Sequence, residues 1–405
     1  MRQGALHDAA ALADAVLAEA TDDASTLYMR GVIASRLGDY PKAISAFRRA
    51  SALRPEDALA VLGLGNACAR AGDLDAAADA YHAVIQRRPE WDDAHFNLGI
   101  VRKRQGRRAE AARSLRAAWR RNPMFFDAAK ECVATVAECV RRGEVVEPGR
   151  PATIDRCTMS FTIVVCSIND AKHRRVASLY ARLFAGVRHE LVVLRNARSL
   201  ASAYNEAVEY STADVVLLSH DDIDILADDF APRLASALGR FDAVGVVGST
   251  VMAGPAVGWA GHPNLRGWIT HRDMTNASWR VDLLDPRGTA SDIVVLDGVL
   301  IAARREVLRA VPFDAATFDG FHLYDLDWSY RASKAGYRLG VVGELMLVHE
   351  SRGRYEHAWE RYADRFCLKH AIYRGASPPS SFFGATFETA EEARRFFQLL
   401  ICLDE

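Results

Sequence analysis

Small and apolar residues in the first third of the chain recur at a fixed spacing of 34 positions. Five columns keep this spacing: Gly31, Gly65 and Gly99; Ala43, Ala77 and Ala111; Gly38, Gly72 and Gly106; Phe47, Tyr81 and Leu115; Pro55, Pro89 and Pro123. A period of about 34 residues is typical of stacked helix–turn–helix units. Small residues in the Gly31 and Ala43 columns let paired helices approach closely, the Gly38 column turns the chain, and proline ends the second helix.

These columns resemble tetratricopeptide repeats, with three full units over 24–125 and a leading helix or partial unit in 1–22. A capping helix is expected over 126–141, so that the repeat domain occupies residues 1–141. The resemblance implies an all-α solenoid that presents a concave face to a peptide or partner protein. A passive spacer or a dimerisation module remains an alternative. The basic stretch RKRQGRR (102–108) is predicted to be a solvated face, with an acidic partner as the alternative.

After the repeats the hydrophobic pattern changes its period. Residues 142–158 contain proline, glycine and charge without periodicity, which predicts a linker. Beyond it, the β-branched runs FTIVVCSI (161–168), HELVVLRN (189–196) and DVVLLSH (214–220) alternate with helical segments. This alternation predicts a parallel sheet covered by helices. Such sheets bind ligands beyond the carboxyl ends of their strands, at a topological switch point.

A polar cluster follows the third of these strands. In ADVVLLSHDDIDIL (213–226), His220 is followed by Asp221, Asp222 and Asp224. Mg²⁺ and Mn²⁺ prefer oxygen ligands and bind one or two carboxylates together with substrate phosphates. A metal site is one interpretation. The other is that these acids cap the next helix, whose amino end favours negative charge.

The turn after the first strand excludes several common α/β chemistries. CSINDAKHRR (166–175) lacks the glycines of a dinucleotide-binding G-x-G-x-x-G turn. The chain also contains neither a G-x-x-x-x-G-K-[ST] phosphate loop nor a G-x-S-x-G nucleophile elbow. The expected domain therefore binds its ligand without a glycine-rich loop.

From about 159 to 360 the chain resembles a GT-A-type glycosyltransferase of the large inverting family 2, which implies an α/β fold that binds nucleotide-diphospho-sugars. The predicted transferase domain spans 159–375. Five segments occur in the order found in that family: FTIVVCSIN (161–169), SLASAYNEAVEYSTADVVLLSHDD (199–222), DGVLIAARREVL (297–308), FHLYDLDWSYRASKAGYRLGVV (321–342) and LVHESRG (347–353). The second runs into the position of the family's D-x-D metal motif, and the fourth resembles its E-D-x-D-L-x-x-R helix start.

The resemblance implies roles for individual residues near the strand ends. The expected nucleotide-sugar-binding residues are Ser167, Asn169, Asn205 and Asp221. Asp222 matches the metal-binding aspartate, and His349 matches a late histidine that completes the metal site. His220 stands where the family often has the first acid of its motif, and histidine is a poorer ligand for Mg²⁺. Asp224 lies outside the matching positions and is expected to cap a helix.

Asp325 matches the family's general base, which takes a proton from the acceptor hydroxyl during inverting displacement. We expect it at a helix amino terminus, where the helix dipole favours its ionised form. The alternative is that Asp325 and Asp327 act only as N-terminal helix acids. The glutamate that precedes the base in the family is Tyr324 here, so the acceptor contact of that glutamate is in question. Trp259, Trp268, Asp297, Tyr324 and Asp327 are further candidates for contact with the acceptor or the sugar, and packing alone explains the tryptophans equally well.

Composition limits the classes of partner and the cellular compartment that we expect for this protein. The formal net charge of −1 gives no overall bias towards nucleic acid or anionic membranes. Seven cysteines in no metal-binding arrangement indicate reduced thiols and a cytoplasmic protein. We expect no transmembrane segment and no secretory signal, and peripheral membrane association stays open. The tail 376–405 is predicted to form a loop and an amphipathic helix that needs a surface to dock on.

The expected function is transfer of a sugar from a nucleotide-sugar donor to a hydroxyl of a glycan or protein acceptor, with inversion. The resemblance implies Mn²⁺ or Mg²⁺ as cofactor and a UDP-sugar as the default donor. The repeats would recruit the acceptor or a partner protein. Two alternatives remain: a repeat adaptor with a degenerate, binding-only transferase domain, favoured by His220 and Tyr324, and a nucleotidyltransferase, which would need a glycine-rich first loop.

Overall fold

The structure is a computed structural model of the 405-residue chain. It describes residues 3–19, 22–144, 158–273, 277–351, 357–375 and 382–403. The chain forms two compact units, Met1–Gly143 and Glu144–Glu405. Most of the predicted linker 142–158 lies outside the described residues.

The described part of the first unit consists of helices only. These are α1 Gln3–Glu19, α2 Ala24–Leu37, α3 Tyr40–Leu53, α4 Ala58–Ala71, α5 Leu74–Arg87, α6 Asp92–Arg104, α7 Arg108–Arg121 and α8 Phe126–Arg141. Pairs α2–α3, α4–α5 and α6–α7 are three helical hairpins, and the predicted solenoid of paired helices is confirmed.

The repeated columns explain why these helices pair closely. A Cβ added at Gly31 would lie 2.8 Å from the Phe47 ring, and one added at Gly65 would lie 2.8 Å from the Tyr81 ring. Glycine in one helix therefore accommodates the large side chain of the next. Gly38 ends α2 with a φ of 81°, a left-handed conformation that residues with a Cβ rarely adopt.

The second unit is a mixed α/β domain. Its strands are β1 Phe161–Cys166, β2 His189–Leu194, β3 Val215–Ser219, β4 Ile223–Ile225, β5 Ala243–Gly245, β6 Val247–Ser249, β7 Leu265–Asp273, β8 Ser278–Leu283, β9 Thr289–Ile293, β10 Val295–Leu296, β11 Leu300–Arg304, β12 Leu339–Val342, β13 Leu347–His349 and β14 Phe383–Phe387. Its helices are α9 Asp170–Leu183, α10 Leu200–Tyr210, α11 Phe230–Arg240, α12 Arg305–Ala310, α13 Tyr324–Lys334, α14 His357–His370 and α15 Ala390–Cys402.

The main sheet has the strand order β2-β1-β3-β11-β5-β12-β9. Strands β1, β2 and β3 are parallel, as the sequence predicts, but β11 is antiparallel to both of its neighbours. The expectation of a wholly parallel sheet is therefore wrong. Because β2 and β3 lie on opposite sides of β1, the loops after β1 and β3 diverge at a topological switch point.

A second sheet contains the order β10-β6-β7-β13-β4, and β8 and β14 extend it from β7. Residues 383–387, predicted as loop, form β14 and pair with β8. The amphipathic helix is α15, which buries Phe396 and Phe397 and stacks Phe397 on Trp268 at a centroid distance of 6.0 Å. Among the described residues, no helix is long and apolar enough to span a membrane.

Candidate active site

The end of β1 meets the end of β3 at the switch point. The Ser167 hydroxyl donates to Asp221 Oδ2 at 2.7 Å, and Lys172 Nζ lies 3.3 Å from Asp221 Oδ1. Asn169 caps α9, since its Oδ1 accepts hydrogen bonds from the backbone N–H groups of Ala171 and Lys172. Ser167, Asn169 and Asp221 are therefore brought to one edge of the sheet, and Asp221 is held from both sides.

A carboxylate and two imidazoles converge beside this edge. His220 and Asp222 follow β3, and His349 ends β13, where it pairs in register with Ile223 of β4. Asp222 Oδ1 lies 3.4 Å from His349 Nε2 and 3.8 Å from His220 Nδ1. The backbone N–H of Glu350 donates to the Asp222 carbonyl at 3.0 Å and fixes the two loops together.

The surroundings of this cluster keep its members in forms that bind cations. Burial alone would raise the pKa of Asp222, but the hydrogen bond and charge of His349 and the Ser351 hydroxyl outweigh it, so the pKa lies well below the usual range. Burial and the neighbouring His349 lower the pKa of His220. An ionised carboxylate and a neutral imidazole are the species that coordinate metals.

The donor set fits a divalent cation. One ligand atom from each of His220, Asp222 and His349 lies within 4.8 Å of the others. One carboxylate oxygen and two imidazole nitrogens favour a transition metal over Mg²⁺, which prefers oxygen ligands. His220 therefore lies among the groups able to hold the metal, a position that its sequence neighbours alone do not indicate.

Asp224 does not cap a helix. It lies in the middle of β4, where it pairs with Val348, and its carboxylate accepts a hydrogen bond from the backbone N–H of Ile225 at 2.8 Å. The next helix, α11, begins after Asp229. The prediction was wrong because two short strands, β4 and β13, form where the sequence suggested a loop entering a helix.

Asp325 lies in the first turn of α13, opposite the start of β11. The backbone N–H of Gly298 donates to Asp325 Oδ2 at 2.6 Å, and a Cβ at Gly298 would lie 2.7 Å from that oxygen. Burial and the neighbouring carboxylate of Asp297 raise the pKa of Asp325 to about 7. The expectation that the helix dipole keeps this group at low pKa is wrong, because desolvation outweighs the dipole.

Three of the other predicted contacts have structural partners instead. Asn205 donates to the Phe313 carbonyl and accepts from the Phe313 N–H, both at 2.9 Å, so its amide is used within the fold. Tyr324 is 3% exposed and packs edge-on against Tyr204. Asp327 is fully buried, pairs with Arg331 at 2.8 Å and Lys369 at 2.5 Å, and is hydrogen-bonded to His370 Nε2 at 2.9 Å. The Tyr324 ring and the Asp327 carboxylate are therefore both used in packing or pairing within the fold, and their contact with an acceptor stays a prediction.

The two tryptophans also belong to the packing of the domain. Trp268 is completely buried, and its indole N–H donates to the Asp285 carbonyl at 2.9 Å, so it cannot stack on a sugar. Trp259 is half-buried in a short 3₁₀ helix and donates to the Arg374 carbonyl at 3.0 Å. It packs against Trp359 at a centroid distance of 5.8 Å.

Basic residues of α9 are functional candidates that sequence reasoning missed. Lys172 pairs with Asp221, and Arg175 pairs with Glu350 and also donates to the Ile223 carbonyl at 3.2 Å. Both side chains therefore lie beside the acidic loops after β3 and β13. Their signal in the sequence is the basic run KHRR (172–175), which lies in the first turns of α9, the helix that follows β1.

The fold and the site define a repeat solenoid joined to a GT-A-type domain that has a carboxylate–imidazole cluster at its switch point. Residues 162–370 match the profile of the family described as "Glycosyltransferase like family", and residues 28–90 match that of the tetratricopeptide repeat. The first match spans more than half of the chain, so the chain belongs to this glycosyltransferase-like family.

Over part of its length the chain is similar to solved structures of MamA and YrrB. A crystal structure of MamA is 23% identical, covers 35% of this chain and 80% of its own, and has a TM-score of 0.33. MamA from Desulfovibrio magneticus RS-1 is 20% identical over 35% of this chain and 78% of its own, with a TM-score of 0.33. YrrB, described as a TPR protein with an unusual peptide-binding site, is 25% identical over 31% of this chain and 64% of its own, with a TM-score of 0.30. No curated protein matches the chain.

Proposed function

We propose that this chain is a metal-dependent inverting glycosyltransferase that moves a sugar from a nucleoside-diphosphate donor to an acceptor hydroxyl. The convergence of His220, Asp222 and His349 at the switch point of a GT-A-type sheet carries this proposal. Ligands of such sheets bind at this edge. A UDP-sugar is the default donor, and a glycan or protein hydroxyl is the acceptor.

Asp222, His349 and His220 would hold the cation, and two imidazoles favour Mn²⁺ over Mg²⁺. A bound divalent cation stabilises a diphosphate leaving group by neutralising its charge. Ser167 and Asp221 would orient the nucleoside, with Asn169 shaping the loop between β1 and α9. Lys172 adds a positive charge beside Asp221, where it would attract the anionic donor.

Asp325 would act as the general base. Its pKa of about 7 lies near neutral pH, where a base combines sufficient ionisation with sufficient proton affinity. Gly298 donates to Oδ2 of Asp325, which orients the carboxylate. Asp297 would tune this base by raising its pKa, since like charges disfavour ionisation. The acceptor hydroxyl would lose its proton to Asp325 while its oxygen attacks the anomeric carbon, and the bond from that carbon to the diphosphate oxygen would break to release the nucleoside diphosphate.

The solenoid would recruit the acceptor or a partner protein to the transferase domain. Its helices form a groove of about 610 Å³, a volume in the range of binding sites.

Donor binding tests this proposal without requiring the acceptor. We expect a UDP-sugar to raise the melting temperature of the wild-type chain in Mn²⁺ but not in EDTA, because ligand that binds only the native state stabilises it. Asp222→Asn should abolish the shift, whereas Asp228→Asn, at an exposed site, should retain it. A donor-induced shift that is equal in EDTA and in Asp222→Asn would contradict the proposed site.

A further inference from the structure

An arginine column runs along the first helices of the three repeats. Arg36, Arg70 and Arg104 are spaced by 34 residues, like the structural columns, and each lies in the last turn of α2, α4 or α6. All three side chains are exposed. Within the part of the chain that the structure describes, no carboxylate lies at ion-pair distance from any of them. Their position on the solenoid is fixed by the repeat, but they do not pack its core.

Two of these arginines line the groove of about 610 Å³. Its polar lining residues are Tyr40, Asn66, Arg70, Tyr81, Asn97 and Arg104, and none of the residues that line it is acidic. Arg104 donates to the Ala69 carbonyl at 2.9 Å, which holds its guanidinium beside the helix of Arg70. The groove is therefore lined by positive charge from two adjacent repeats.

Among the described residues, no hydrogen-bond partner occupies Asn66 Nδ2 or Asn97 Oδ1, so the groove offers one amide donor and one amide acceptor. Asn66 Oδ1 accepts from the Tyr81 hydroxyl at 2.7 Å and from Asn97 Nδ2 at 3.2 Å. This network orients both amides and leaves Asn66 Nδ2 and Asn97 Oδ1 available. A peptide unit needs one acceptor for its N–H and one donor for its C=O.

We propose that this groove binds an extended acidic peptide segment, in which Asp or Glu side chains pair with Arg70 and Arg104. Guanidinium–carboxylate hydrogen bonds would supply specificity, and the Asn66–Asn97 pair would contact the peptide backbone. Arg36 would extend the same contact to a longer segment. The inference rests on the recruiting role proposed above for the repeats, and it names the chemistry of the segment that is recruited.

Nucleic acid is the less favoured anionic ligand. Binding of a phosphate backbone gains its affinity from many cationic contacts and is favoured by net positive charge. This chain has a formal net charge of −1, and the groove contains only two arginines. The paired amides of Asn66 and Asn97 suit a peptide chain.

A selection experiment with the full-length chain tests the proposal. The immobilised protein is used to select binders from a random dodecapeptide phage library, with the Arg70→Gln/Arg104→Gln double variant as the matched second target. We expect wild-type selections to be enriched in peptides with two or more acidic residues. The affinity of a selected peptide, measured by fluorescence anisotropy, should fall at least tenfold in the double variant and should weaken as NaCl rises.

Three further variants keep the outcome interpretable. Arg48→Gln removes an exposed arginine from α3, outside the groove lining, and should leave binding unchanged. Arg70→Lys/Arg104→Lys should keep the preference for acidic peptides, because it retains the charge. Asp222→Asn should bind the peptide like wild type, which separates this proposal from the transfer chemistry.

The proposal is wrong if no peptides are enriched, if enriched peptides lack acidic residues, or if the double variant with an unchanged circular dichroism melt binds them equally. The groove would be assigned to nucleic acid instead if a 20-nucleotide single strand bound tightly through the same arginines and no acidic peptides were selected.

Discussion

At the residue scale, one carboxylate shared by two imidazoles sets the chemistry of the site. Asp222 Oδ1 lies within 4 Å of nitrogens from both His220 and His349. The resemblance implies that the position of His220 is often acidic in the family, so at the proposed metal site this chain would offer a nitrogen donor in place of an oxygen donor. Because Mg²⁺ prefers oxygen ligands, this replacement bears directly on metal preference.

Restoring an acid at this position should therefore change the metal that binds. We predict that His220→Asp raises the affinity for Mg²⁺ relative to Mn²⁺ about tenfold, because ligand type sets selectivity. Isothermal titration calorimetry with each chloride salt measures both affinities. His189→Asp, at the exposed start of β2, is the control and should leave the ratio unchanged. An unaltered ratio in His220→Asp would remove His220 from the metal site.

The raised pKa of Asp325 predicts an acid limb in the pH–rate profile. The base works in its ionised form, so kcat/KM should fall about tenfold per pH unit below about 7. Asp297→Asn removes the neighbouring like charge that raises this pKa, so the limb should move to lower pH. Asp325→Asn should lower kcat by about 10²- to 10⁴-fold. An acid limb that stays in place in Asp297→Asn would contradict the proposed coupling.

At the element scale, the solenoid depends on glycine where two helices touch. A Cβ at Gly65 would lie 2.8 Å from the Tyr81 ring, whereas a Cβ at Gly239 in α11 would meet no atom within 4 Å. We predict that Gly65→Leu lowers the free energy of unfolding by about 2–3 kcal/mol, because overpacking forces the helices apart. Gly239→Leu should change it by less than about 1 kcal/mol. Urea unfolding followed by circular dichroism distinguishes the two, and equal losses would contradict close packing at Gly65.

Helices α13 and α14 are joined by the buried carboxylate of Asp327. Removing its charge leaves Arg331 without its carboxylate partner and Lys369 with Asp314 as its remaining carboxylate partner, so Asp327→Asn should destabilise the fold by about 3 kcal/mol. Burial opposes ionisation of Asp327, but its hydrogen bonds to His370 and Lys369 lower its pKa below the ordinary value of 3.8. The greater stability of wild type relative to Asp327→Asn should therefore persist at neutral pH and disappear as the pH falls below 3.8. The pH dependence of thermal unfolding measures it. A loss of donor or acceptor affinity without a loss of stability would instead return Asp327 to the substrate site.

The sequence predicted the repeated helices more fully than it predicted the surroundings of single residues, for physical reasons. Columns such as Gly31 and Phe47 repeat three times, so their helices and contacts follow from the period alone. The interpretations of Trp268 and Asp327 stayed open between substrate contact and a structural role, because a local pattern does not reveal which side of an element faces the core. The pKa of Asp325 depends on Asp297, 28 residues earlier by the numbering, and on burial that only the packed sheet provides.

At the scale of the whole molecule, the chain consists of two compact units, for which we propose separate tasks. The first presents a groove with arginines and oriented amides, and the second gathers Ser167, Asp221, Asp222 and His349 at one edge of a mixed sheet. The order of the five sequence motifs predicted the family, and the match over 162–370 confirms it. The sequence motifs did not predict which groups surround each motif residue. These surroundings depend on strands from distant parts of the chain, such as β11 and β13.

Turnover of the donor tests the central claim most directly. Purified chain is incubated with a panel of UDP-, GDP- and dTDP-sugars in Mn²⁺, and release of nucleoside diphosphate is followed with and without EDTA. The account predicts release from at least one donor that EDTA abolishes and that Asp222→Asn reduces at least a hundredfold. Donor binding without release across the panel would favour a binding-only adaptor, and release that is unaffected by EDTA and Asp222→Asn would contradict the metal site.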